Sequence, residues 1–99
     1  MAITSIKHKG LRELYEAGTT KKIGTRFHRK LLDLLDMLDA ATETKDLKGV
    51  SDFHALKGNR KGQYCMHVNG PKVVTFRFDD GEVTNVNFKN DLKQRRRKR

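Results

Sequence analysis

One histidine with basic neighbours is the group in this sequence best suited to chemistry on a phosphate ester. His54 is followed closely by Lys57, Arg60 and Lys61. An imidazole titrates near neutral pH and can accept or donate a proton, while lysine and arginine side chains bind phosphate. The spacing is also compatible with a surface histidine in a turn. The segment is therefore a candidate site for proton transfer beside a phosphate group.

Arg77 is a second candidate for phosphate binding. It lies between Phe76 and Phe78 in a segment where apolar residues alternate. In a strand, its guanidinium would lie on the face opposite the two aromatic rings. A guanidinium can bind phosphate through two parallel hydrogen bonds. A cross-strand salt bridge is an equally good interpretation of this residue.

The histidine and cysteine spacings do not predict a metal site. His8, His28 and His67 have neither the i, i+4 helical spacing nor the neighbouring cysteines that a zinc site needs. The single cysteine, Cys65, excludes an internal disulfide and is typical of a reducing compartment. We expect no metal and no other cofactor.

The chain is strongly basic, and its charge is concentrated at the C-terminus. The 99 residues include 22 Lys and Arg against 12 Asp and Glu, a formal net charge of +10. Such a charge attracts nucleic acids and anionic membrane surfaces. Arg95, Arg96 and Arg97 lie in a closing segment that is too charged to pack. We expect one folded domain at residues 1–92 and a flexible basic tail at 93–99 that adds nonspecific affinity for RNA.

The N-terminal sequence MAITSIKHKG does not resemble a signal peptide, and no apolar run reaches membrane-spanning length. Together with the lone cysteine, these observations predict a cytoplasmic protein with no membrane contact.

Two helices that could position these groups are predicted in the first half of the chain. A short strand at Ile3–Lys7 and a polar turn at residues 8–10 precede the first helix, which ends at Gly18. Its apolar face consists of Leu11, Leu14 and Tyr15. The second helix has Thr25 as a plausible N-cap, and its apolar residues recur at helical steps: Phe27, Leu31, Leu34, Leu35 and Leu38. Asp33, Asp36 and Asp39 are typical of a solvated helix face.

From Phe53 to Phe88 the apolar residues recur at every second position, which predicts strands. Turn residues at 69–71 and 79–81 separate the strands into two successive hairpins. The sequence thus predicts an α+β fold, with two N-terminal helices packed on a small antiparallel β-sheet. The residues expected to face the helices are Tyr64, Met66, Val68, Val74, Phe76 and Phe78. The opposite face is expected to be bare and to display Cys65, His67, Val73, Thr75, Arg77, Asn85 and Asn87.

Four segments resemble the HigB-type toxins of the RelE/ParE superfamily in order and spacing. They are residues 6–11 (IKHKGL), 38–42 (LDAAT), 53–58 (FHALKG) and 75–81 (TFRFDDG). The resemblance implies a microbial-ribonuclease-like fold and metal-independent cleavage of mRNA in the ribosomal A site. It also implies a helix-turn-helix antitoxin, HigA, with which the toxin binds operator DNA.

Cleavage of this kind is the attack of a ribose 2′-hydroxyl on the adjacent phosphate. The reaction needs a base, an acid for the leaving oxygen, and cations for the extra negative charge. The resemblance assigns His54 and Lys57 to this chemistry.

Two segments depart from the family pattern. Where the family has Asn-Trp-Arg, this chain has residues 71–73 (PKV), so that a valine replaces the strand arginine. Lys72 is a candidate substitute, although it would leave from the other face of the strand. Where the family closes with Asn-Tyr-Glu-Asp-Tyr-His, residues 87–92 read NFKNDL. Asn90 replaces an acidic residue there, and Asp91 is a candidate to restore the carboxylate if the strand end bulges.

Three functions are compatible with these observations. The first is a ribosome-dependent mRNA endoribonuclease that inhibits translation. The second is a catalytically weakened toxin that acts by binding the ribosome, or operator DNA together with its antitoxin, and the lost acid and base groups favour it. The third is a ParE-like inhibitor of DNA gyrase. The resemblance of the His54 segment to the mRNA-cleaving branch argues against this third function.

Overall fold

Two helices precede a four-stranded antiparallel sheet in the computed structural model, which describes residues 2–56 and 62–90. The helices are α1 (Lys9–Ala17) and α2 (His28–Ala40). The strands are β1 (His54–Ala55), β2 (Gln63–Asn69), β3 (Lys72–Asp79) and β4 (Glu82–Asn90). The predicted site residues Lys57, Arg60, Lys61, Asp91, Arg95, Arg96 and Arg97 lie outside the described residues, as do the tail at 93–99 and the side chain of Asn90.

Helix α1 begins where a histidine side chain caps it. Nδ1 of His8 accepts a hydrogen bond from the backbone N–H of Leu11 at 3.1 Å. The helix ends as predicted at Gly18, whose φ of 82° is left-handed and whose N–H donates to the Leu14 carbonyl. The prediction of a polar turn at residues 8–10 was wrong, because the imidazole takes the role that Ser, Thr, Asp or Asn more often fills at a helix start.

Helix α2 buries the predicted leucines, Leu31, Leu34, Leu35 and Leu38. Its predicted N-cap was wrong. Thr25 begins a short 3₁₀ turn that runs to Phe27, and Phe27 occupies the cap position of α2 without a side-chain hydrogen bond. The helix is therefore held by its apolar face rather than by a cap.

Asp39 joins three elements and does not belong to a solvated face. Its carboxylate accepts hydrogen bonds from the hydroxyl of Tyr15 at 2.7 Å and from the backbone N–H of Ile3 at 3.1 Å. The hydrogen bond to Asp39, with partial burial, raises the pKa of Tyr15 to about 12. Asp33 and Asp36 are exposed as predicted. Asp39 was misread because its partners lie on α1 and at the N-terminus, which the spacing within α2 does not show.

The sheet is a meander in the order β1-β2-β3-β4, which confirms the two predicted hairpins. Its inner face packs on the helices through Met66, Val74 and Phe76, all at most 1% exposed. The predicted N-terminal strand is confirmed only in part. Ile3 and Ile6 form isolated parallel bridges with Val83 and Val86, so the segment lies beside β4 without forming a continuous strand.

A bulge in β4 changes which of its residues face the core. Thr75 is opposite Asn87 and Arg77 is opposite Thr84, so that β4 has one extra residue between these pairs. Asn85 lies in this stretch with a left-handed φ of 53°. The bulge lets both Val83 and Val86 become fully buried. Thr84 therefore lies opposite Arg77.

The sheet face opposite the helices, called the outer face below, is not bare throughout. Cys65, Val73 and Thr75 are only 4–6% exposed, although they lie on this face. The prediction of a uniformly solvated outer face was therefore wrong at its centre. Its polar groups are displayed around this buried centre.

Candidate nucleic-acid interface

The outer face is organised in cross-strand rows, because residues opposite each other on antiparallel strands lie about 5 Å apart and share a face. The central row contains His54, Cys65, Thr75 and Asn87. The row on one side contains Gln63, Arg77 and Thr84. The row on the other side contains His67, Val73 and Lys89. The outer face thus displays an imidazole at the β1 end of its central row and a cation in the row on either side, Arg77 on β3 and Lys89 on β4.

His54 is exposed, and one of its ring nitrogens is fixed by the backbone. Nδ1 lies 2.8 Å from the carbonyl oxygen of Asp52. A carbonyl oxygen only accepts hydrogen bonds, so Nδ1 carries the hydrogen. In the neutral ring the lone pair is then on Nε2. This is the arrangement that a general base needs.

The backbone before His54 is held in an uncommon conformation. Ser51 and Asp52 have left-handed φ values of 44° and 59°, which non-glycine residues adopt rarely and which often occur at functional sites. The N–H of His67 donates to the Ser51 carbonyl at 2.7 Å and ties this turn to β2. The turn places the Asp52 carbonyl oxygen within hydrogen-bond distance of Nδ1 of His54.

Aromatic packing on the inner face fixes β1 and so fixes the direction of His54. The Phe53 ring stacks on Tyr64 at 5.3 Å and on Phe76 at 6.2 Å between centroids. Since neighbouring residues of a strand point to opposite faces, His54 is directed to the outer face.

Arg77 lies on the outer face as predicted, with its side chain 39% exposed. Its Nη2 is 3.7 Å from Oδ2 of Asp79, on the same strand, so the proposed cross-strand salt bridge is wrong. The guanidinium also packs closely over Gly62, where a Cβ atom would lie 3.3 Å from Nη2. A long, exposed ion pair of this kind is weak.

Lys72 lies at the end of the sheet, on the inner face. It is paired in register with Asn90, and its Nζ is 5.5 Å from the centroid of the Phe88 ring, which belongs to the core. The prediction that Lys72 leaves from the face opposite Val73 is confirmed. The position of Lys72 also affects His8 on the same side of the sheet. Burial of the His8 ring, together with the charge of Lys72, lowers the pKa of His8. The structure therefore does not bring Lys72 together with His54 and Arg77.

Lys89, which was not predicted as a site residue, is exposed on the outer face opposite Val73. A signal for it was present, because Lys89 is two residues beyond Asn87 and therefore shares its face. The turn at Ser51 and Asp52 was also missed, and no residue type in it signals a left-handed backbone strongly.

Within residues 2–56 and 62–90, no group of three or more His, Cys, Asp or Glu side chains could hold a metal ion. In the same ranges no helix has the length and apolar character to cross a membrane.

Comparison with known proteins assigns the family. The model of the family described as "RelE-like toxin of type II toxin-antitoxin system HigB" matches residues 4–90. The chain belongs to this family. As a type II toxin, it has a cognate antitoxin as partner. This HigB-like toxin is also similar to the endoribonuclease HigB of Proteus vulgaris, with 34% identity over 87 residues that cover 87% of this chain and 95% of the relative. All strands that form the outer face lie within the matched region.

Proposed function

We propose that this HigB-like toxin is a ribosome-dependent mRNA endoribonuclease that inhibits translation in the cytoplasm, on a fold of the microbial-ribonuclease type. The observation that carries the proposal is the exposed His54, whose Nδ1 is fixed by the Asp52 carbonyl so that Nε2 can accept a proton. The name of the Proteus vulgaris relative, an endoribonuclease, supports the same reaction class.

In the proposed reaction, Nε2 of His54 takes the proton of a ribose 2′-hydroxyl. The oxygen attacks the adjacent phosphorus, the bond to the 5′-oxygen breaks, and the products are a 2′,3′-cyclic phosphate and a 5′-hydroxyl end. Cations stabilise the additional negative charge of the transition state. Lys57, by the resemblance, and Arg77, by its position on the outer face, are proposed for this role. Asp91, which follows Asn90 in the chain, is proposed as the acid that donates a proton to the leaving 5′-oxygen.

The remaining basic residues are proposed to bind RNA without reading its sequence. Arg60 and Lys61 follow Lys57 in the chain, Lys72 lies at the end of the sheet, and Arg95, Arg96 and Arg97 lie in the basic tail. Contacts to phosphate position a nucleic acid but carry no direct sequence information. The proposed partners are the ribosomal A site with its mRNA, and a HigA-like antitoxin that carries the complex to operator DNA.

A binding toxin without cleavage is the second candidate. The apolar Val73 in the outer face, and Leu92 in place of a family histidine, remove groups that the reaction could use. Such a protein would still bind the ribosome through its cations.

Expression of the toxin without its antitoxin, followed by mapping of mRNA 5′ ends, tests the proposal. Breaks in register with codons, and only in translated messages, are expected. Growth arrest with intact mRNA would instead establish the binding toxin, and DNA damage with trapped gyrase would establish a gyrase inhibitor.

A further inference from the structure

Lys89 occupies a position on the outer face that faces solvent and is close to the central row. It is exposed, it is paired in register with Val73, and it follows Asn87 of the central row by two residues. Two residues of a strand span about 7 Å, which is close to the reach of an extended lysine side chain. A ligand that lies over Asn87 and Thr75 is therefore within reach of the Lys89 ammonium.

Charge differs between the two ends of the outer face. At the end near Arg77, Asp79 is paired in register with Glu82, and Asp79 is the carboxylate that Arg77 approaches. Two carboxylates there oppose an approaching phosphate and partly neutralise the guanidinium. At the other end, no ion pair within residues 2–56 and 62–90 involves Lys89. Its charge is not neutralised by any carboxylate of those ranges.

We infer that Lys89 is a phosphate-binding residue for the RNA substrate, and that the RNA extends from the central row towards the Lys89 end of the outer face. The inference rests on the proposed function for the identity of the ligand, a single-stranded RNA. Within residues 2–56 and 62–90, no carboxylate pairs with Lys89, whereas Arg77 approaches Asp79. Val73 and His67 continue the row of Lys89 towards β2 and place no acidic group there.

Lys89→Gln tests the inference in the full-length toxin, with Lys30→Gln as the matched control. Lys30 is exposed on α2, the element on the other side of the sheet, and its substitution removes the same charge. Affinity for a short single-stranded RNA is measured over a range of salt concentrations. The slope of log K against the logarithm of the salt concentration, called the salt slope below, reports the number of phosphate contacts. Loss of one contact should reduce the magnitude of this slope by about 0.7. Affinity should fall several-fold, to the same extent for sequences of different base composition.

Lys89→Arg should restore the slope, since it restores the charge, and circular dichroism should show the same fold in all variants. Arg77→Gln should reduce the slope less than Lys89→Gln does. A Lys89→Gln protein that binds RNA like Lys30→Gln overturns the inference, and so does a larger effect at Arg77.

Cleavage assays on the same proteins separate this inference from the proposed function. If the wild-type toxin cleaves mRNA and Lys89→Gln behaves like the control, only the assignment of Lys89 fails. If no protein cleaves but the slope depends on Lys89, the nuclease proposal fails and the assignment of Lys89 stands. A wild-type toxin that binds no short RNA overturns the assignment of Lys89, and one that also leaves mRNA on translating ribosomes intact overturns both.

Discussion

The reactivity proposed for His54 depends on one hydrogen bond from its own ring. The Asp52 carbonyl holds the hydrogen on Nδ1, and exposure leaves Nε2 accessible. A glutamine at this position keeps polarity but has no basic nitrogen that can accept a proton.

His54→Gln should therefore reduce RNA cleavage by at least about 100-fold, the usual contribution of a general base. Thermal unfolding should change little, because the side chain is exposed. The measurement is the rate of mRNA cleavage on translating ribosomes with purified toxin. His28→Gln, on α2, is the control for loss of an imidazole and should keep activity. Full activity of the His54 variant would exclude His54 as the base.

Gly62 leaves room for the Arg77 guanidinium because it has no side chain. Its φ is 83°, and a Cβ atom would lie 3.3 Å from Nη2 of Arg77. Gly62→Ala should lower the free energy of unfolding by about 1–2 kcal/mol because of the left-handed backbone. It should also displace the guanidinium.

Gly49→Ala is the matched control for this prediction. Gly49 has nearly the same φ, 81°, but no atom lies within 4 Å of the added Cβ. Chemical denaturation should show similar losses of stability in both variants. A change in the Arg77 side-chain signals in NMR spectra is expected for Gly62→Ala alone, and its appearance in both variants would refute the steric explanation.

At the scale of elements, the His8 cap makes the start of α1 sensitive to pH. The cap requires an unprotonated Nδ1, and burial with the charge of Lys72 lowers the pKa of His8 below 6.5. The folded state thus favours the neutral ring. Its contribution to stability is full above pH 6.5 and is lost as the pH falls through the lower pKa of the folded protein.

His8→Asn should remove this part of the pH dependence, since asparagine is a good N-cap at any pH. Thermal unfolding midpoints between pH 5 and pH 8 provide the measurement. The wild-type midpoint should fall more steeply towards pH 5 than that of the variant, by an amount equivalent to about 1 kcal/mol for a lost cap. Parallel curves would show that His8 does not cap α1 in solution.

Local patterns predicted the elements, while contacts between distant residues decided the details. Leucines at helical steps and alternating residues from Phe53 to Phe88 were sufficient for two helices and a meander, because each pattern reports which side meets the core. The cap at His8 depends on the chemistry of a single side chain. The hydrogen bonds of Asp39 to Tyr15 and Ile3 depend on partners that are distant in the sequence. For the candidate site, strand alternation placed Arg77 correctly. The buried centre at Thr75 and the bulge near Asn85 required the register of neighbouring strands.

At the scale of the whole molecule, the basic tail and the outer face should contribute to RNA binding in different ways. A chain that ends at Leu92 lacks Arg95, Arg96 and Arg97 and the other charges of residues 93–99. The magnitude of its salt slope for RNA binding should fall by about 0.7 for each phosphate contact that is lost, and several contacts should be lost. The sites of mRNA cleavage should stay the same, because nonspecific phosphate contacts carry no sequence information. Mapped 5′ ends that move after truncation would assign a positioning role to the tail.

The attachment of the N-terminal segment to β4 sets an order of events during synthesis. The N–H of Thr4 donates to the Val83 carbonyl at 2.8 Å, and that of Lys7 to Val86 at 2.7 Å. Contacts that join such distant positions form late in folding. These hydrogen bonds of Thr4 and Lys7 cannot form until Val83 and Val86 have been synthesised. A protein proposed to attack messages on ribosomes therefore attaches its N-terminal segment to the sheet only after a ribosome has translated its own message through the codons for Val83 and Val86.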